Sequence, residues 1–149
     1  MRADPDGALL GASLAFAGAT VLGSVVAIRD QLPGEPLGVS IPLSVAAGLL
    51  AGWGAAVAAP WPMPVAAVTA AAMAKRRRPS VRPGAVCAAI GLGGIVGTCI
   101  EPVTRRPRSW SVATRLAIGA NLSASAALVA AGAWHGATAR RPHPERAFG

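Results

Sequence analysis

The chain has 149 residues, 53% hydrophobic and only 13% charged, with a formal net charge of +8 and a mean hydropathy of +0.50. Soluble domains carry roughly 25% charged residues, so the composition argues against a water-soluble globule, and the length suits one domain rather than two. Nucleic-acid binding is also disfavoured: the basic residues stand in KRRR (75–78), Arg82, RRPR (105–108), Arg140, Arg141 and Arg146, with only Trp110 near them, whereas single-stranded nucleic acid is held by aromatics interleaved with cations.

The missing charge is concentrated. Residues 7–28, 36–74, 83–100 and 116–139 contain no Asp, Glu, Lys or Arg. Apolar runs of about 18 residues or more read as membrane-crossing helices, because about 20 residues rising 1.5 Å each span the hydrocarbon layer. The expected fold is all-α: a polytopic transmembrane bundle of five hydrophobic helices, the third short, making four or five crossings. Residues 1–139 form its single domain, and 140–149 a basic, disordered tail.

The first helix is expected over 7–28. Asp4 and Asp6 offset Arg2, and the apolar run exceeds the usual signal-peptide core of about 7–15 residues, so it reads as an uncleaved helix. Positions 7, 11, 15, 19, 23 and 27 are Gly, Gly, Ala, Ala, Gly and Ala. Small residues at this spacing let helix backbones approach closely. The polar loop 29–38 comes next. The uncharged stretch 36–74 is long for one span and short for two, and PWPMP (60–64) interrupts it, since proline inside a helix removes a hydrogen bond and clashes with the preceding turn. A full-length second helix is therefore expected over 39–59 and a shorter third over 61–78, extended by the snorkelling stems of Lys75 and Arg76.

The fourth helix is expected over 83–101, with Pro83 in its first turn. Cys87 and Cys99, twelve residues apart on it, lie about 18 Å apart along the axis, too far for a disulfide, and read as small buried hydrophobes. Two cysteines and two histidines without ligand spacing argue against a metal site, and no motif calls for a cofactor. The fifth helix is expected over 110–135, with Trp110 and Trp134 at its ends as in an interfacial belt.

Arginine counting places the 75–82 loop and the C-terminus on one side and 103–111 on the other, and the positive-inside rule makes the first side cytoplasmic. Thirteen arginines against one lysine, with abundant alanine, point to a GC-rich bacterial genome and so to a bacterial cell membrane.

Few polar residues call for explanation. Glu101 ends the fourth helix, with Ala89, Gly93 and Gly97 behind it at four-residue steps and Pro102 after it. Its expected partner is Arg115, or else Arg105 or Arg106, because buried carboxylates are paired. On the fifth helix Thr114, Ile118, Asn121, Ser125, Leu128, Gly132 and His135 run at alternating steps of four and three, the pattern of a helix–helix seam. Asn121 then makes an interhelical hydrogen bond, and His135 is interfacial. The leading function is a non-enzymatic packing or accessory component, bound by lipid and by a second copy or a membrane partner through its small-residue faces. The alternative is a membrane enzyme acting on a lipophilic substrate, with Glu101, Arg115, Asn121 and His135 as its polar site.

Overall fold

A computed structural model describes residues 4–76, 80–106 and 110–140. The 141–149 tail lies outside them, as do Arg77, Arg78 and Arg108. Five α-helices appear among the described residues: α1 (Pro5–Arg29), α2 (Val45–Ala51), α3 (Pro62–Arg76), α4 (Arg82–Ile100) and α5 (Val112–Ala139), with a single 3-10 turn at Pro36–Gly38. The described residues hold isolated bridges but no strand. The molecule is thus an all-helical bundle, and α1, α4 and α5 are long and apolar enough to cross a membrane.

Local chemistry sets the ends. The Asp4 side chain accepts from the Asp6 N–H and caps α1. Ser111 does the same for α5, accepting from the Thr114 N–H, which starts this helix two residues later than the apolar pattern alone suggests. Each cap satisfies an N–H that the helix cannot bond internally. Gly136 stands just past the expected end but does not take a left-handed angle, and α5 runs on to Ala139.

The main departure from expectation is the second helix. It spans seven residues rather than 39–59. Pro42 stands ahead of it, and Ser44 caps it by accepting from the Ala47 N–H. It stops at Gly52, whose φ of 91° is left-handed, with Gly54 at 85° soon after. Side-chain-bearing residues rarely adopt such angles, so glycine placed here ends a helix. Beyond this stop the 52–61 segment is largely buried yet not helical. Most of its N–H groups find partners nonetheless: Trp53 and Gly54 donate to Gly48 O, Ala55 and Ala58 exchange bonds, and Trp61 donates to Leu49 O. Irregular backbone at membrane depth is tolerated only under such protection or beside a cavity.

The contacts fix the direction of each element. Asp6 meets His135, and Gly84 meets the Gly132 backbone, at one end. Glu35 meets Glu101, and Thr98 meets Asn121, towards the other. Hence α1 and α4 are parallel and α5 is antiparallel to both. Val45 and Leu49 of α2 pack with Val26 and Ala27 near the end of α1. Met63 at the start of α3 reaches Gly93, midway along α4, while Ala67 O accepts from Cys87 Sγ at 3.6 Å, nearer its beginning. So α2, the 52–61 segment and α3 together make a single broken passage, and the chain traverses the bundle four times.

Two apolar clusters fill the interior, one around Leu9, Phe16, Cys87 and Leu128, the other around Val26, Leu49, Val57 and Ile118. The whole expected seam of α5, Thr114 through His135, is buried. On α4 the buried face is Gly84, Cys87, Gly91, Gly94 and Thr98, again at steps of three and four. The four-residue ridge of α1 behaves differently. Ala19, Gly23 and Ala27 are buried, but Gly11 and Ala15 are exposed. Each four-residue step overshoots a turn by about 40°, so a strict ridge winds out of a seam that keeps a 3.5-residue period. For the same reason Glu101 belongs to the Gly94–Thr98 face and not to that of Ala89 and Gly93, which lie outside the buried face of α4. Cys99 is also exposed and only Cys87 is buried, so one of the two expected buried cysteines faces outward.

Candidate functional site

Where the broken passage separates from α4, a cavity of about 80 Å³ opens. Trp53, Gly54, Ala55, Ala56, Ala58, Ala59, Pro60 and Met63 form one wall. Gly93, Gly94, Gly97, Thr98 and Glu101 of α4 and its end form the other, with Asn121 reaching in from α5 and Pro36 at the rim. The space results from residue size and chain path. Between two continuous helices side chains would interlock; here a half-helix stops short and faces glycines. A Cβ at Gly97 would meet nothing within 4 Å.

Two side chains give the cavity its polarity. Asn121 is 2% exposed, and its Nδ2 donates to Thr98 Oγ1 at 2.8 Å. The Thr98 hydroxyl donates in turn to Gly94 O at 2.8 Å. With its proton committed, Thr98 Oγ1 can only accept, so the amide must present N–H to it. That fixes Asn121 Oδ1 as the opposite atom, and it is buried without a hydrogen-bond partner. Leaving a buried acceptor unpaired costs about 1–3 kcal/mol; Ser24 Oγ, Ser125 Oγ and His135 Nδ1 are also buried without a partner, but of these four residues Asn121 is the one that lines the cavity.

Glu101 comes directly after the last residue of α4 and is 6% exposed. The Glu35 backbone N–H donates to its Oε2 at 3.0 Å. Burial raises the Glu101 pKa above the ordinary carboxylate value, the Glu35 N–H lowers it, and the charge of Glu35 raises it further. The expected pairing with Arg115 is not formed. Arg115 is exposed, and among the described residues no ion pair joins it to Glu101. It lies one position after Thr114, about a quarter-turn away from the seam. Glu101 is held by a backbone donor from the loop after α1 instead. A second, wider pocket of about 280 Å³ shares Glu101 and Ala56 with the first and adds Glu35 and Arg106, so Glu101 stands between an outer mouth and an inner chamber.

No family model, curated protein or solved structure matches the chain. The chemistry of the site is therefore carried by its own geometry.

Of the four residues singled out from sequence, the fold brings Glu101 and Asn121 to one cavity. His135 lies at the far end of α5, with Nε2 3.1 Å from Asp6 Oδ1 and the ring against Gly84. It ties α5 to the start of α1 and does not reach the cavity. Sequence reasoning missed Thr98, which orients the Asn121 amide, and Trp53, which lines the cavity and donates from Nε1 to Gly34 O at 2.9 Å. Signals for both were available. Thr98 precedes Glu101 by three residues, one helical step along the same face, and Gly-Trp-Gly (52–54) is a helix stop placed inside an alanine-rich run.

Proposed function

We propose that this is a small multi-pass protein of a bacterial cytoplasmic membrane, non-enzymatic, whose working part is a cavity for a small ligand at the broken passage. The observation carrying this reading is the unpaired Asn121 Oδ1 in a chamber that also holds the Glu101 carboxylate. Interrupted helices inside membrane bundles recur as binding sites because they free backbone and space at depth. An enzyme built on all four polar residues draws less support, since Arg115 and His135 stand apart from the other two. In the proposed orientation the ends bearing Lys75, Arg76, Arg82 and Arg140 face the cytoplasm, in keeping with the positive-inside rule. Lipid surrounds the outward faces. A second copy or a partner helix would pack on the outward glycines of α1, Gly11 and Gly18, whose added Cβ atoms would meet nothing within 4 Å.

The cavity reading is tested by cysteine labelling. In a Cys99→Ala background, Gly97→Cys should react with a small charged thiol reagent in membranes, because the chamber admits water. The buried native Cys87 should not react. An unreactive thiol in a folded Gly97→Cys protein would mean a closed, dry interior and leave packing as the protein's role.

A further inference from the structure

The cavity has a chemical sense that its shape alone does not reveal. Its side-chain donors are already used. The Thr98 hydroxyl is spent on Gly94 O, the Asn121 amide N–H on Thr98, and the Trp53 indole N–H on Gly34 O. What remains is acceptor: Asn121 Oδ1, without a partner, and the Glu101 carboxylate, which is the only ionisable side chain among the residues lining the chamber. Among these side chains an anion would meet only oxygen lone pairs. A neutral apolar molecule would leave Asn121 Oδ1 as costly as before.

Resting on the reading of the cavity as a ligand site, we propose that it binds a single small alkali cation, held by Asn121 Oδ1 and the Glu101 carboxylate. One carboxylate matches one positive charge, and the pair would be neutral in the low-dielectric interior, where an uncompensated charge is expensive. A divalent ion such as calcium collects six to eight oxygens, commonly from several carboxylates, and would keep an uncompensated charge here. The chamber, at about 80 Å³, exceeds the ≳10–15 Å³ that one water needs, so the ion would retain part of its hydration shell. The wider pocket beyond Glu101, lined also by Glu35 and Arg106, is the route from the bundle end, with Glu101 at its inner wall. The carboxylate thus has two roles: it binds the ion, and through Oε2 it ties the loop after α1 to the end of α4.

Trp53 lines the chamber and supplies the readout. Purified protein in detergent is titrated with sodium chloride against choline chloride at constant ionic strength and neutral pH, monitoring tryptophan emission and the unfolding midpoint. Sodium should change emission saturably and raise the midpoint, as any ligand that binds only the folded state does. Choline, too large for the chamber, should do neither. Asn121→Leu and Glu101→Gln should each weaken the apparent sodium affinity by about tenfold or more, each charge or oxygen lost being of order 1.4 kcal/mol. Should Glu101→Gln not fold, Gly97→Val fills the same chamber at a position with open space, and it should abolish the response. A sodium effect that survives Asn121→Leu and Gly97→Val overturns the proposal. So does silence towards lithium, sodium and potassium in wild-type protein when the Gly97→Cys variant is still labelled, and that result leaves the ligand cavity itself standing. Absence of labelling would instead remove the cavity reading.

Discussion

The seam between α4 and α5 and the broken passage of 45–76 are written in nearly the same alphabet of glycine and alanine, yet they do opposite things. Along the seam, glycine removes a side chain so that two backbones can touch. A Cβ on Gly91 would come within 2.6 Å of Ser125 O, and one on Gly132 within 2.5 Å of Gly84 O. In the passage, Gly52 and Gly54 supply left-handed backbone angles that stop a helix, and the space left behind becomes a chamber. Residue type alone does not separate the two uses. Neighbours do: α4 between Pro83 and Pro102 has no internal cap or stop, whereas the passage has a cap at Ser44, a stop at Gly52 and prolines at 60, 62 and 64. Close packing and a cavity can therefore sit side by side in one bundle, the first giving the stability that the second gives up.

The contrast can be broken most severely at the seam. Gly91→Leu should unfold the protein or strip it of most of its stability, because the nearest obstructing atom, Ser125 O, is backbone and cannot turn aside. Overpacking costs typically about 1–3 kcal/mol, and occasionally more. Thermal unfolding in detergent reads this directly, and a stable Gly91→Leu variant would mean that the two helices are not in backbone contact.

The next effect belongs to the chamber's carboxylate. The folded protein holds the proton on Glu101 more tightly than the unfolded chain does, chiefly through burial. The stability gained in this way is fully present below the ordinary carboxylate value and is lost as pH rises through the raised one. Unfolding midpoints measured in choline should fall across that range. Glu101→Gln, neutral at every pH, should flatten this part of the profile, and sodium should restore stability on its alkaline side. A wild-type curve that rises with pH there would contradict the burial of the carboxylate.

Smaller still is the coupling between Glu101 and Arg115. The geometry gives them no contact, so the losses in Glu101→Gln and Arg115→Gln should add to within about 0.3–0.5 kcal/mol in a double-mutant cycle. A larger interaction energy would restore the ion pair that chain order alone suggests. At the bottom of the scale is Gly119→Ala on the open face of α5, where an added Cβ meets nothing within 4 Å. Helix propensity favours alanine there by up to about 1 kcal/mol, and the midpoint should hold or rise slightly. Gly91 and Gly119 thus measure the two kinds of glycine by one assay.

Much of this architecture was legible in the chain. The charge-free runs marked α1, α4 and α5, and the alternating three- and four-residue steps picked out the α5 seam, every member of which is buried from Thr114 to His135. Asn121 was legible as one side of an interhelical hydrogen bond because an amide inside an apolar seam needs a partner. The passage was harder. An apolar run of alanines and valines reads as one helix unless its cap and stop are weighed, and burial of 52–61 depends on tertiary cover that no local pattern displays. The partner of Glu101 was hidden for a related reason. Arginines follow at 105 and 106, but the donor found on the carboxylate among the described residues is a backbone N–H, at Glu35, brought there by the turn at the end of α1. Backbone donors carry no signature in a sequence.

In the proposed arrangement residues 45–76 make one broken crossing rather than two full ones, and the chamber exists only there. Its most direct test is the sidedness of two points in intact cells, the N-terminus and residue 80, using reporters active on only one side of the membrane. Four crossings place both in the cytoplasm. Two full spans over 39–78 would put the N-terminus on the opposite side from residue 80, and that result would contradict the broken passage and the cavity with it.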